Sequence, residues 1–418
     1  MTTPSRTRTC TTAVLVLLTA WACGGPDAAP GVRRDSTSQS AQSPPPPAAA
    51  PAPPARDAPA APAPAATRSA AERAIGRLED TLRAAAGDAD SPWALAHGLL
   101  AFGKDYRARD GRSAVLVAAS FAERRIDEDG RTIRYGFTAA RNGKPVEPHP
   151  YLLVKTFLEV GVDPDLGFVT ADGTTIDVRR LITDMRASVR EPQTDAQWHD
   201  AAWWLTALEL DQTAQSTELP RWRAAALARL EADDAVLAAQ AADPFHPSAP
   251  MGAAKRGKTH IYGHPCGGLH FVQAVLRAAS ASGSTEFRAR ASRQVRLLLR
   301  RHEAERALYA EMLRTHPAAK LVVSGQQLKF FGHLLETLAL ADELGVLRDD
   351  AGLQGAVTAA RRTVAGDLLA TLAALQTERA YERLPELAVD KPQLHLDLIG
   401  DGCHAIAGLR RTLPALTR

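Results

Sequence analysis

The chain has 418 residues, and its 50 Lys and Arg nearly balance its 47 Asp and Glu, which leaves a formal net charge of +3. A charge this close to neutral, without a basic stripe that carries interleaved aromatics, argues against nucleic acid as a partner. Aromatic residues make up only 5% of the sequence, Ala and Leu are abundant and β-branched runs are few, so the composition favours a helical protein.

The N-terminal segment predicts export. Residues 1–22 contain two early arginines, a short apolar run at 13–18 and a small-x-small ending at 20–22. This is the pattern of a secretory signal peptide, which is too short to span a bilayer as a helix. The Cys-Gly-Gly that follows resembles a bacterial lipoprotein site, which implies a lipid on Cys23 and membrane anchoring in the cell envelope. The alternative is ordinary signal peptidase cleavage at the same bond, which releases a soluble protein.

The next segment, residues 23–70, is rich in Pro, Ala and Ser and includes four consecutive prolines at 44–47. Such a composition buries too little apolar surface to fold, so we expect a disordered tether. A proline-rich chain of this length reaches on the order of 100 Å. The remainder, residues 71–418, is long enough for one large core or two ordinary ones.

One pattern recurs along residues 71–418, where a histidine stands at or near the start of an apolar, helix-like stretch six times. These histidines lie roughly 50 to 70 residues apart, an interval that suits a helical hairpin with its loops. They are His97, His149, His199, His270, His333 and His404.

More amphipathic, charged segments alternate with these apolar stretches. Helices that are apolar all round are buried, whereas one-sided helices form an outer layer. The alternation predicts an all-α (α/α)6 toroid of inner and outer helices. The predicted outer segments are 71–86, 176–190, 220–242, 285–314 and 353–376, with a weak sixth at 113–124. Two segments with Asp-Gly turns, 124–135 and 167–176, are predicted to form small β-hairpins on one rim.

The toroid would bring the histidines together. If the inner helices run the same way, their N-termini share one mouth, and the six histidines converge on one cavity. The stretch 259–270 adds to this prediction because it holds three histidines and a cysteine in a glycine-rich loop that opens a helix. Anions and metals often bind at such helix N-termini.

Cys266 and Cys403 precede two of these histidines closely, so the same mouth would hold both. In an oxidising envelope, two neighbouring cysteines form a disulfide that stabilises the fold by roughly 2–4 kcal/mol. The other interpretation is a zinc site built from Cys266, Cys403, His404 and a fourth ligand, either His270 or water. Asp401 would then be a further ligand or would orient one.

Carboxylates near the same mouth allow a different chemistry. Asp200 follows His199, Glu336 is on the same helical face as His333, and Asp401 precedes Cys403. Many α/α toroids of bacterial envelopes cut polysaccharides with paired carboxylates or with histidine, and such enzymes bind sugars on aromatic rings. The aromatic candidates are Trp198, Trp203, Trp204 and Tyr262, of which Trp203 and Trp204 have the spacing of core residues.

Two resemblances accompany these patterns. Cys266, the Cys403-His404 pair and the upstream Ala-His-Gly around His97 resemble the lanthionine synthetase cyclases, which are zinc-bearing α/α toroids. This resemblance implies that Cys266, Cys403 and His404 are zinc ligands and that His97 is catalytic. The sequences at 266–270, 332–336 and 93–97 also resemble a group of exported bacterial helical proteins without an assigned activity, which implies kinship alone.

The sequence therefore predicts an exported, lipid-anchored protein with a His- and Cys-lined pocket that binds a small-molecule or glycan ligand or serves as a scaffold. One alternative is a zinc-dependent enzyme that uses Cys266, Cys403 and His404. The other is a polysaccharide hydrolase or lyase. Residues for catalysis in these alternatives are His97, His199, Asp200, His333 and Glu336, and those for metal binding are Cys266, His270, Cys403 and His404.

Overall fold

The computed structural model describes residues 70–126, 130, 132–211, 217–242, 260–263, 266 and 268–416. The predicted signal peptide, the lipid site at Cys23 and the tether lie outside these residues. Arg73–Arg418 forms one compact unit. Among the described helices, none has both the length and the apolar character needed to cross a bilayer.

The described part of the chain is mostly helical, as the composition predicted. Short 3-10 turns at Ile261–Gly263 and Pro317–Ala319 precede two of the helices. The helices are α1 (Ala70–Ala86), α2 (Pro92–Phe102), α3 (Ala114–Ala119), α4 (Leu152–Glu159), α5 (Val178–Ser188), α6 (Asp195–Leu210), α7 (Leu219–Ala232), α8 (Asp234–Ala242), α9 (Leu269–Ala281), α10 (Thr285–Thr315), α11 (Lys320–Glu343), α12 (Ala351–Thr377), α13 (Leu384–Asp390) and α14 (Pro392–Leu416).

Three small antiparallel hairpins interrupt the helices. They pair β1 (Glu123–Ile126) with β2 (Ile133–Gly136), β3 (Ala140–Arg141) with β4 (Lys144–Pro145), and β5 (Gly167–Val169) with β6 (Thr175–Asp177). The prediction of small β-hairpins is confirmed, although the β3–β4 hairpin was missed. Its signal was the Asn142-Gly143 dipeptide, whose two positive φ angles of 51° and 77° suit a tight hairpin turn.

Local sequence explains where several helices begin. Ser91 caps α2 by accepting a hydrogen bond from the Ala94 N–H, and Pro92 fits the first turn because it needs no partner for a backbone N–H. Thr194 and Gln197 form a reciprocal capping box at the start of α6. Side-chain oxygens thus satisfy backbone donors that would otherwise lose their partners in a buried helix end.

The six apolar stretches that carry the pattern histidines correspond to α2, α4, α6, α9, α11 and α14. Each of these helices packs against the next in this order, and α14 packs back against α2. More charged helices cover the junctions, with α7 on α6 and α9, α10 on α9 and α11, and α12 on α11 and α14. The pattern histidines therefore lie on or next to helices that pack against one another.

Two of the predicted helix starts were wrong. The pattern placed His333 and His404 near the beginnings of their helices, but both lie well inside helices that begin at Lys320 and Pro392. Polar and glycine-containing residues ahead of the apolar stretches suggested loops. Gly325 instead lies where a Cβ would collide with Leu394, so the missing side chain lets α11 and α14 pack closely.

The start of α4 holds a buried carboxyl, Glu147, which is only 7% exposed. Its Oε1 accepts a hydrogen bond of 2.9 Å from the Leu153 N–H. Burial raises the pKa of Glu147 from 4.5 to about 8, and the backbone donors of Leu153 and Tyr151 only partly oppose that rise. Between these two pH values the folded chain retains a proton that the unfolded chain has released.

We expect Glu147 to make the protein less stable as pH rises from 4.5 to 8, because the unfolded state then binds fewer protons than the folded state. The loss is on the order of 4 kcal/mol at most. Glu147→Gln keeps an oxygen for the Leu153 N–H and removes the titration. Urea unfolding at pH 5, 6.5 and 8.5 should show the variant gaining stability relative to wild type with each step. The buried histidines are common to both proteins and cancel in this difference, so a constant difference would contradict the prediction.

Candidate metal centre

Four of the six pattern histidines form one cluster where α2, α9, α11 and α14 face one another. Ring centroids are 4.1 Å apart for His333 and His404, 4.6 Å for His270 and His333, and 5.1 Å for His270 and His404. His97 joins at 5.3 Å from His404. His149 is close by, since it stacks on Trp203 at 4.1 Å and that ring lies 5.3 Å from His270. His199 lines a pocket together with His270.

Three of these histidines have the spacing of a metal site. One nitrogen from each of His270, His333 and His404 lies within 4.8 Å of the others, and no other group of potential ligands in the described residues is as close together. The Nε2 atoms of His270 and His333 are 3.0 Å apart. Two imidazoles on one tetrahedral zinc, with Zn–N bonds of about 2.0–2.1 Å, place their nitrogens roughly 3.3 Å apart. The observed spacing is close to that value.

Backbone carbonyls fix the orientation of two rings in the cluster. The Nδ1 atom of His333 is 2.8 Å from the Lys329 carbonyl, and that of His97 is 2.7 Å from the Trp93 carbonyl. A carbonyl oxygen only accepts hydrogen bonds, so Nδ1 carries the proton in both rings and donates it. The lone pair of each neutral ring is then on Nε2, and in His333 this atom faces His270.

A carboxyl group fixes the third ring. Nδ1 of His404 is 2.6 Å from Oε2 of Glu336, and both side chains are buried. A carboxylate that holds the outer nitrogen of a histidine is the usual second partner of a metal-binding imidazole, because it sets the tautomer and makes the inner nitrogen more basic. Glu336 comes from α11 and His404 from α14, so the contact also joins two neighbouring helices.

Burial keeps the clustered imidazoles neutral. It lowers the pKa of His97 to about 3, with a further contribution from His404, and the pKa of His404 to about 3, with a contribution from the Lys155 ammonium. Burial and neighbouring histidines hold the pKa of His270 and His333 well below the usual value. The neutral imidazole is the form that binds metal ions, so no proton has to be removed first.

A buried ion pair lies behind His333. Nζ of Lys329 is 2.8 Å from Asp397 and 3.6 Å from Oδ2 of Asp401, an oxygen that has no hydrogen-bond partner. Burial raises the pKa of Asp401 well above its usual range. Asp401 lies 3.9 Å from Nδ1 of His333, and the Lys329 carbonyl is the closer acceptor. Asp401 therefore lies beside His333 without a hydrogen bond to it. That Asp401 binds a metal ion or orients a ligand stays a prediction.

The predicted Cys266–Cys403 disulfide is absent, since both cysteines are reduced and buried. The sequence could not distinguish which side of each element the thiols face. Cys403 is one residue from His404, so it points about 100° away around α14. Its neighbours include the phenols of Tyr106 and Tyr381. Burial raises the pKa of both phenols, and Cys403 is the next cause of each rise. Cys266 instead lies beside His270.

The cysteines therefore do not join the three-histidine group. Of the four residues predicted to bind metal, the structure brings together His270 and His404. His333, predicted as a catalytic residue, completes the group in place of the cysteines. Asp200 is a half-buried residue of α6 and is not one of the clustered ligand groups. His264 of the glycine-rich loop lies outside the described residues.

A small pocket opens beside His270, at the start of α9. His199 is in its wall, with Nε2 donating to the His260 carbonyl at 3.1 Å. Asp233 holds the adjoining turn by accepting from the Ile261 N–H at 2.7 Å. The lining residues are His199, Ala202, Trp203, Ile261, Cys266, Gly268, His270 and Phe271.

Sequence reasoning missed the charged residues that surround the cluster. Lys155 is 4% exposed and forms an ion pair with Glu159, which also binds Arg277 at 2.7 Å. A spacing of four residues was the available signal, since Lys329 precedes His333 and Asp397 precedes Asp401 by one helical turn. A charged residue one turn from a histidine in an otherwise apolar helix is a candidate for the same face.

Comparisons with protein-family models, with characterised proteins and with solved structures found no match to this chain. The kinship with exported bacterial helical proteins stays a prediction from residues 93–97, 266–270 and 332–336. The geometry of the histidine cluster is therefore the main indication of function.

Proposed function

We propose that this protein is an exported, lipid-anchored (α/α)6 toroid that holds one zinc-type transition-metal ion near its axis. The support for the toroid is the packing order of α2, α4, α6, α9, α11 and α14, in which the last helix meets the first. The Cys-Gly-Gly sequence at Cys23 supports the lipid anchor. The ligands in this proposal are His270, His333 and His404.

The observation that carries the proposal is that three neutral imidazole nitrogens lie within 4.8 Å of one another inside the protein. Without an ion, His270 satisfies the His333 lone pair by donating its Nε2–H across 3.0 Å, and with an ion both Nε2 lone pairs would point at it. Two of the rings also have their outer nitrogens fixed, by the Lys329 carbonyl and by Glu336. This preorganisation lowers the cost of binding an ion.

Three protein ligands and an open position are typical of catalytic zinc, whereas structural zinc has four protein ligands. A zinc ion in such a site supplies an activated water, so hydrolysis is the reaction class that the site supports. Beside it, the Nε2 lone pair of His97 would accept a hydrogen bond from a bound water, whereas burial lowers the pKa of this ring to about 3 and so weakens it as a base. Glu336 would keep His404 in its binding tautomer. The glycan alternative has less support, because Glu336 and Asp401 are both buried.

The test is metal analysis of the full chain, exported in a bacterial host, extracted in detergent and purified without a His-tag. We expect about one zinc per chain, or stoichiometric uptake of added Co²⁺ with the intense visible absorption of a tetrahedral site. A folded protein that retains neither ion after equilibration with a small excess would overturn the proposal and leave binding or scaffolding without a metal.

A further inference from the structure

The pocket beside His270 is apolar in character. Ala202, Trp203, Ile261 and Phe271 contribute carbon to its wall. Besides His270 and the Trp203 indole, two side chains of the wall carry heteroatoms, and both are already engaged by the backbone. Nε2 of His199 donates to the His260 carbonyl, and the Cys266 sulfur accepts from the backbone N–H groups at the start of α9. The surface that faces the pocket is carbon, so a polar guest would lose its hydrogen bonds to water there, whereas an apolar group would not.

The pocket adjoins the proposed metal centre. His270 both lines the pocket and contributes a nitrogen to the three-histidine group. It is also the partly exposed member of that group, whereas His333 and His404 are buried. A molecule that fills the pocket therefore lies against the side of the metal centre that is reached from solvent.

Charge sets the nature of the group that faces the ion. Three neutral imidazoles leave the full double charge of a divalent ion within a buried space, where charge interactions are strong. The Glu336 carboxyl hydrogen-bonds His404, whereas Asp401, next to His333, is already paired with the Lys329 ammonium. An anionic ligand in the remaining position is favoured because it neutralises this charge.

We infer that the site binds a short aliphatic anion, with a carboxylate-like head on the metal and a methyl-sized tail in the pocket. This inference rests on the proposed metal centre. The size limit follows from the pocket, whose volume of about 10 Å³ has room for a group about the size of one water molecule. Gly268 and Ile261 both line the pocket, and a Cβ on Gly268 would collide with the Ile261 carbonyl. The backbone is therefore tightly packed at this part of the wall.

Hydroxamates of increasing chain length test the inference on the Co²⁺-loaded full chain, since their heads bind the ion and alter its visible spectrum. We expect acetohydroxamate to bind, propionohydroxamate to bind more weakly, and hexanohydroxamate to bind at least about ten-fold more weakly than acetohydroxamate. Ile261→Ala should enlarge the pocket and reduce that difference to below about three-fold. Val357→Ala removes a buried aliphatic side chain of α12 that does not line the pocket, and its preference should match wild type.

A second variant keeps the test decisive if Ile261→Ala does not fold. Ala202→Val narrows the pocket and should weaken propionohydroxamate more than acetohydroxamate, with the cobalt spectrum of the unliganded protein unchanged. Affinities that do not depend on tail length in wild type would overturn the pocket inference while the metal centre stands. Failure to take up Co²⁺ would overturn the metal centre and this inference together.

Discussion

His404→Ala should abolish stoichiometric metal binding. Zinc content is expected to fall from about one per chain to a trace, with an affinity loss on the order of 100-fold or more, because one of three ligands is lost from a site worth roughly 10 kcal/mol. The variant also leaves the Glu336 carboxyl buried without its imidazole partner. The measurement is a zinc titration against a chromophoric chelator, together with elemental analysis.

The matched control is His395→Ala. His395 is in the same helix, α14, and its Nδ1 contacts a backbone carbonyl, that of Leu384, at 3.0 Å. It lies outside the three-histidine group. The control should bind zinc as wild type does. Equal zinc binding by both variants, with circular dichroism showing both folded, would rule out His404 as a ligand.

Glu336→Gln should weaken zinc binding by about 10- to 100-fold, the usual effect of losing the carboxylate partner of a metal-bound histidine. Burial raises the pKa of Glu336, while the charge of a bound ion favours its ionised form. Metal binding and ionisation of Glu336 therefore assist each other, and a neutral amide cannot take part. The same chelator titration measures the effect.

Glu343→Gln provides the comparison for Glu336→Gln. Glu343 is the last residue of α11, and it forms a longer ion pair of 3.9 Å with Arg411. Its removal should change zinc affinity by less than about three-fold, because it contacts none of the three histidines. If both glutamine variants bind zinc equally well, Glu336 has no role in orienting His404.

Much of the fold could be predicted because the relevant signals are local. The apolar stretch around His97 is preceded by Ser91 and Pro92, and the stretch around His199 by a capping box at Thr194, so helix positions follow from neighbouring residues. The hairpin at 167–176 likewise depends on one turn. The starts of α11 and α14 were missed because the polar residues at 324–327 and Asp397 interrupt the apolar pattern ahead of each histidine.

The candidate site was only partly predictable for a different reason. Cys403 and His404 are adjacent in sequence, and spacing alone cannot tell which of them faces the centre of the molecule. The answer depends on the rotation of α14, which its packing on α11 determines. Glu336 fixes this rotation in the structure by meeting His404 across the two helices, a contact between residues 68 positions apart.

The contact of α14 with the first described helix, α1, has a consequence for the order in which the protein matures. Arg410 of α14 binds Glu79 of α1 at 2.8 Å, a contact between residues 331 positions apart. His404 follows both His270 and His333 in the sequence, so the three histidines cannot meet until α14 has been synthesised. A chain secreted in the unfolded state would cross the membrane before its three histidines meet. If the proposed export and metal site are correct, the ion would be acquired outside the cytoplasm, and proteolytic loss of α14 would release it.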